Sequence, residues 1–262
     1  MNIHPTAIVS SSAELADDVE VHAFSIIGPH VRIGAGSVVG SHCVIEGITA
    51  IGKNNRIFSG AQLGVLSQDL KHKAGLIGRT EIGNNNQIRE HVTVSASTVS
   101  GDEDSHRVTS IGDNCLFMAY THVAHDCHLG SNIIMANCAS LAGHVDVDDG
   151  AILGGLCGVH QECSIGKLAF IGGCSRISKD VPPFMIAEGN PCRCVGPNSV
   201  GLRRNGFDEA ARTRIKQMYK IMYRSHLNTT QALHEIEKSV EESRERTIFV
   251  DFVRKSLRGI TQ

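Results

Sequence analysis

The apolar residues of this chain recur at every sixth position. From Ile3 the series continues through Val9, Leu15, Val21, Ile27, Ile33, Val39, Ile45, Ile51, Ile57 and Leu63 without a break. From Ile111 it continues through Phe117, Val123, Leu129, Met135, Leu141, Val147, Leu153, Val159, Ile165, Ile171 and Ile177. A period of six matches neither an amphipathic helix nor a free-standing strand. It is the hexapeptide pattern of a left-handed parallel β-helix, in which each hexad forms one flat side of a coil. If three hexads close a triangular coil, residues three hexads apart stack in one column, spaced by about 4.8 Å. The expected fold is therefore mainly β, with a C-terminal α-helical cap as described next.

Glycine often follows the apolar residue, as in "IIGPH", "RIGAG" and "VVGSH", where a recurring corner calls for backbone angles that a side chain resists. The phase slips twice, because Ile82, Ile88 and Val94 agree with one another but with neither long series. Two loops are thus expected to leave the coil, at roughly 64–81 ("SQDLKHK") and 95–110 ("SGDEDSH"). Val181-Pro182-Pro183 is expected to end the solenoid, since proline cannot donate to a ladder, and "AEGNPCRCVGPNSVG" reads as a linker. Beyond it the period becomes helical. Asp208 is a candidate N-cap, and Ile215, Met218, Tyr219 and Met222 share one face. Further helices are expected near 230–242 and 247–257, the last closed by Gly259. The expected division is a β-helix domain at 1–190 and a helical domain at 191–262.

The formal net charge of −2 excludes a globally basic nucleic-acid binder, but the charge is unevenly placed. Residues from Pro191 onward hold 14 Lys/Arg against 8 Asp/Glu, whereas the preceding part holds 11 against 19. A basic end suits an acidic partner. "MNIHPTAIVSSS" is not a signal peptide and no apolar run approaches a membrane span, so a soluble, cytoplasmic protein is expected. The 9 cysteines form no CxxC pair, and six of them serve as small fillers within the hexads, which points to reduced thiols.

Chemistry concentrates in the segment around "THVAHDCHLG". The period puts His125 one coil beneath Gly143 and Gly143 one beneath Gln161, with Asp126 level with His144 and Ala142 level with His160. A core this narrow has no room for imidazole, so His122, His125, His144 and His160 project outward. A single outward histidine reads most simply as surface. Several on adjacent coils suggest a site, and imidazole is the usual general base for a hydroxyl. Zinc needs three or four converging ligands, and no two histidines here show the five-residue spacing of the carbonic anhydrases built on this scaffold. Neither metal nor cofactor is expected. Cys127 is a weak nucleophile candidate whose direction the period leaves open. Asn198, with Arg203 and Arg204 beside a glycine-containing turn, suits either phosphate recognition or a solvated basic patch.

Together the hexads and the motifs "HVAHDC", "LAGHV", "GVHQ", "IGGCS", "DVPPF", "GNP" and "GLRRNGF" resemble the acyl-ACP:UDP-N-acetylglucosamine O-acyltransferases of lipid A biosynthesis over nearly the entire chain. The resemblance implies a cytoplasmic homotrimer with active sites in clefts between neighbouring solenoids. It implies transfer of a 3-hydroxyacyl chain from acyl carrier protein to the glucosamine 3-hydroxyl of UDP-N-acetylglucosamine. Under it His125 is the general base, Asp126 its partner and the Gly143 N–H the oxyanion donor. Substrate contacts fall to Asp69, Lys71, His122, His144, His160 and Gln161, nucleotide contacts to Asn198 and Arg204, and the acyl-chain groove to Gly155 and Gly173. Three positions depart from the pattern. Ser95 in "VSAST" stands where many members have the histidine of "IHRGT", and Val200 and Asn205 stand where some have glutamate and arginine. The related N-acyltransferases usually carry an extra N-terminal uridine-binding domain, whereas the hexads here begin at Ile3. A trimeric scaffold without activity is the alternative of a different class. Adjacent strand residues point to opposite faces, so pairing His125 with Asp126 requires a corner.

Overall fold

The computed structural model describes residues 2–70, 77–98 and 107–262. Their short strands form three sheets of 11, 9 and 8 strands, here sheets A, B and C. Successive hexads feed them in turn. Ile134–Met135 joins A, Ser140–Leu141 joins B, Asp146–Val147 joins C, and Ile152–Leu153 returns to A, in parallel register with the first. The result is a left-handed parallel β-helix. The apolar residue of each hexad points inward, and Ile45, Leu63, Val94, Phe117, Val123, Met135, Leu141 and Leu153 are fully buried. Each such side chain contributes about 1.5–3 kcal/mol relative to exposure.

The corners differ from the sequence expectation. The residues in the left-handed region are mostly not glycine: Tyr120, Cys138, Leu156 and Cys174 where A turns into B, and Asp126, His144 and Glu162 where B turns into C, with φ between 57° and 63°. Gly28, Gly34 and Gly40 have no such φ. Their constraint is the neighbouring coil, since a Cβ on Gly34 would stand 2.7 Å from the Gly52 carbonyl carbon, and one on Gly40 would stand 2.9 Å from the Ile57 oxygen. Close stacking, not turning, selects these glycines.

The column step of 18 residues lengthens to 31 between Asn55 and Asn86, and to 29 between Thr93 and His122, as the two phase slips imply. The proline pair, by contrast, does not end the sheet. Val181 bridges Ile165, both prolines fall between ladder positions, and Met185–Glu188 then pairs in parallel with Phe170–Ile171. Nor is the next stretch a linker. Arg193–Pro197 folds back antiparallel on Met185–Glu188, and helix α1 (Ser199–Arg204) follows. Its glycines and prolines mimicked a loop, while burial of Cys194 holds the strand down.

Three longer helices complete the chain: α2 (Glu209–Arg224), α3 (Thr229–Ser239) and α4 (Arg244–Lys255). Asp208 caps α2 by accepting from the Ala211 N–H at 2.7 Å, and Ile215, Met218, Tyr219 and Met222 form its buried face. A second apolar cluster joins these residues to Leu168, Phe184 and Met185 at the end of the coil and to Phe249 and Val253 of α4. Asp180 fastens the two parts. It accepts from the Ser164 N–H at 2.8 Å and from the Ser256 hydroxyl at 2.6 Å, while its backbone bridges Ile260. Among the described residues, no helix is long and apolar enough to cross a membrane.

Candidate active site

The histidines gather where sheet B turns into sheet C. His122 is on the outer face of His122–Val123, and its Nδ1 lies 2.7 Å from the Thr93 hydroxyl. Burial, and secondarily the His125 ring, push its pKa down. His125 and Asp126 occupy the corner itself. The left-handed φ of 57° at Asp126 puts two consecutive side chains on the same side, and Nδ1 of His125 meets Oδ2 of Asp126 at 2.8 Å. The corner thus supplies the pairing that strand alternation denies.

Asp126 is 3% exposed. Its carboxylate also accepts the Thr98 hydroxyl at 2.7 Å and the Thr98 N–H at 3.3 Å, and its own N–H donates to Thr109 Oγ1 at 2.8 Å. Burial alone would raise its pKa, but the His125 ring and the Thr98 donors outweigh it, and the net shift is downward. An ionised carboxylate can only accept. His125 therefore donates through Nδ1, and its other ring nitrogen, Nε2, lies 3.8 Å from Oδ2 of Asp69.

Gly143 sits directly over this ring. A Cβ there would stand 2.5 Å from Cε1 and 2.6 Å from Nε2 of His125, so the imidazole occupies the space that a side chain would need. No backbone carbonyl of the described residues accepts the Gly143 N–H. His144 presents its ring edge-on to His125, with centroids 5.1 Å apart, and its Nε2 lies 3.8 Å from Asp126 Oδ2. His160 and Gln161 continue the wall one coil further, with His160 Nδ1 3.2 Å from the Gln161 carbonyl. Cys127 faces inward. Burial pushes its pKa up to about 12 and its thiol donates to the Ala142 carbonyl, which removes it as a nucleophile.

Other expected residues lie elsewhere. Gly155 and Gly173 stack as the period requires, with the Cys174 N–H bound to the Gly155 carbonyl at 2.9 Å. They stand at the A-to-B corner, however, across the full width of sheet B from His125. Asn198 caps α1 by accepting from Gly201 N–H at 3.0 Å and donates to the Leu168 carbonyl at 3.0 Å. Arg204 ends α1 and is exposed. Leu168 is more than two coils above His125, about 12 Å at the usual strand spacing, so Asn198 stands apart from His125 within this chain. Lys71 lies outside the described residues. Ser95 is buried, and its hydroxyl has no hydrogen-bond partner among the described residues. A groove of about 990 Å³ between sheet C and α4 includes His128, His144 and Asp146 but not His125.

Thr93, Thr98 and Thr109 were not expected in the site. The step of 29 across the second loop is what puts Thr93 beneath His122, and that step follows from the phase slip alone. Thr98 lies at the start of the loop, where no period applies.

A family model described as Udp N-acetylglucosamine O-acyltransferase, Domain 2, matches residues 180–261, and one for bacterial transferase hexapeptides (six repeats) matches 12–47 and 109–143. A solved structure of LpxA from Acinetobacter baumannii is 41% identical, with 99% of each chain covered and a TM-score of 0.94. The UDP-N-acetylglucosamine acyltransferase of Francisella novicida is 39% identical over 99% of this chain and 93% of its own, with a TM-score of 0.94. That of Arabidopsis is 35% identical over 99% of this chain and 100% of its own, with a TM-score of 0.86.

Proposed function

Because this chain belongs to the UDP-N-acetylglucosamine acyltransferase family, we propose that it transfers a 3-hydroxyacyl chain from acyl carrier protein to the glucosamine 3-hydroxyl of UDP-N-acetylglucosamine, the first step of lipid A biosynthesis, in the cytoplasm. The observation that carries the reading is the His125–Asp126 pair at 2.8 Å, with Nε2 left as the basic nitrogen beneath Gly143.

A sugar hydroxyl is a poor nucleophile at neutral pH, and a positioned imidazole contributes about 10²–10⁴-fold. His125 Nε2 takes the hydroxyl proton as the sugar oxygen bonds to the thioester carbon. The ionised Asp126 stabilises the imidazolium and fixes its orientation. The negative oxygen of the tetrahedral intermediate accepts from the Gly143 N–H. Collapse breaks the carbon–sulfur bond, and the departing thiolate takes the proton from His125. His122, His144, His160, Gln161, Asp69 and Lys71 contact substrate, while Asn198 and Arg204 serve the nucleotide.

A homotrimer gives these assignments a geometry. The placement of Gly155 and Gly173 at the far edge of sheet B, and of Asn198 more than two coils away from His125, supports a site completed by a neighbouring chain. The basic residues from Pro191 onward are the docking end for the acidic carrier protein. The test is mass spectrometry of the product formed from 3-hydroxyacyl carrier proteins and UDP-N-acetylglucosamine. An ester at the 3-position is expected, and a sugar nucleotide recovered unchanged at enzyme concentrations equal to substrate would end the reading.

A further inference from the structure

His125, Asp126 and His144 offer something besides a base. Their ligand atoms all lie within 4.8 Å of one another, and they form a metal-capable group among the described residues. Nδ1 of His125 is 2.8 Å and Nε2 of His144 is 3.8 Å from Oδ2 of Asp126. Zinc bonds of about 2.0–2.1 Å at tetrahedral angles require ligand atoms about 3.3 Å apart, so the two contacts to Asp126 each need to change by only about half an ångström, and the two imidazole nitrogens, within 4.8 Å of each other, must approach the same spacing. Two imidazoles and one carboxylate with an open fourth position are a usual zinc donor set, and nitrogen ligands select zinc and its neighbours over magnesium or calcium. His144 is 43% exposed by side chain, which gives an ion a way in.

We propose that this corner is a binding site for Zn²⁺ or a similar first-row divalent cation, held by His125 Nδ1, Asp126 Oδ2 and His144 Nε2 with water in the fourth position, and that occupancy silences the enzyme. The silencing follows from proton placement. Neutral imidazole has one N–H, and in the free site it is on Nδ1, donated to Asp126. Zinc takes the Nδ1 lone pair, so the proton must be carried by solvent to Nε2. Oδ2 of Asp69 stands 3.8 Å from that nitrogen. With Nε2 protonated the ring has no lone pair left for a substrate hydroxyl, and Asp126 is neutralised by the metal. The ion is thus an inhibitor competing with the working tautomer, not a cofactor.

Binding stands on geometry alone; only its inhibitory consequence rests on His125 being the base. The two are separated by reading the metal without substrate. Chelator-treated protein is titrated with Co²⁺, followed by visible absorption, and with Zn²⁺ by calorimetry, for the native chain, His144→Gln and Asp126→Asn, with circular dichroism as a check on folding. One ion per chain, the intense ligand-field bands of tetrahedral cobalt, a loss of affinity of at least tenfold in His144→Gln, and turnover that falls with Zn²⁺ occupancy and returns on adding chelator are the expected results. Among the described residues, the exposed thiol of Cys174 is a competitor for the ion. Sulfur-to-cobalt charge-transfer bands, affinity unchanged in His144→Gln, or full turnover at saturating zinc would each overturn the proposal. A failure of the acyl-transfer reading would show instead as an inactive native protein that still binds cobalt through His144.

Discussion

The two edges of sheet B use the same backbone for opposite ends. Each turns on a residue with a left-handed φ, Asp126 and His144 on one side, Leu156 and Cys174 on the other. The preceding position decides what the edge is for. At the B-to-C edge, the side chain missing from Gly143 is replaced by the His125 ring. At the A-to-B edge, the side chains missing from Gly155 and Gly173 are replaced by nothing from the chain itself, the nearest atoms being backbone carbonyl oxygens 3.2 Å away. Gly143 makes room for an imidazole ring, whereas Gly155 and Gly173 leave space that no side chain of this chain fills among the described residues. A glycine in a solenoid is therefore interpretable only with what stacks against it in the neighbouring coil.

Removing the ring should have the largest effect. His125→Ala is expected to lower kcat by about 10²–10⁴-fold while leaving the fold intact, because the ring lies outside the apolar core. Activity within about threefold of the native enzyme would detach chemistry from this edge. Filling the other edge should alter selection rather than rate. Each buried methylene is worth about 0.8 kcal/mol, so a donor shorter by four carbons forfeits about 3 kcal/mol in a groove that fits the longer one. Gly173→Met should erase that preference, lowering the kcat/KM ratio of long over short 3-hydroxyacyl donors by up to about 10²-fold. An unchanged ranking would leave Gly173 with a packing explanation only.

Gly143→Ala tests the contrast directly. The new methyl would sit against Cε1 and Nε2 of His125, and the ring must tilt away. A displacement of about 1 Å can cost 10²-fold, so kcat should fall by roughly 10–10²-fold, with little change in thermal stability. The same substitution at Gly155 meets only one backbone oxygen, at 3.2 Å, and should spare kcat with short donors. Equal losses at both positions would erase the distinction between the edges.

Much of this was legible from the period. Column arithmetic alone stacks His125 under Gly143 and Gly155 under Gly173, because a three-hexad coil fixes which residues meet. The period could not say which corner a hexad turns, so the separation of the glycines from His125 by the width of sheet B needed the structure. It could not show the left-handed Asp126 either, since nothing in "HDC" marks one residue as a corner. The strand Arg193–Pro197 reads as a linker because its glycine and proline signal a loop locally while its pairing with Met185–Glu188 is tertiary. Thr98 was missed for the same reason, being outside the period and significant only through what it touches.

Thr98 gives the smallest predicted effect and the sharpest view of how the histidine edge is held. Its hydroxyl donates to Asp126 at 2.7 Å, beside its own N–H at 3.3 Å and the His125 ring at 2.8 Å. Thr98→Val keeps the shape, the N–H and the ring but removes one donor to a charged acceptor, an interaction worth about 1.5–3 kcal/mol. The carboxyl pKa, now held down, should move up. The sign follows by linkage: a depressed folded-state pKa contributes stability that is present above the unfolded value of about 3.9 and lost as pH falls through the folded one. In the variant the loss should begin at a higher pH and the contribution at neutral pH should be smaller. Thermal midpoints and kcat/KM measured together down the acid limb would read it. The expected result is a midpoint curve displaced toward higher pH and a neutral-pH rate within about tenfold of native, since the His125 bond to Asp126 survives. Acid limbs that superimpose would mean that the His125 ring and the backbone N–H suffice to keep Asp126 ionised, and Thr98 would then be a packing residue at the mouth of its loop.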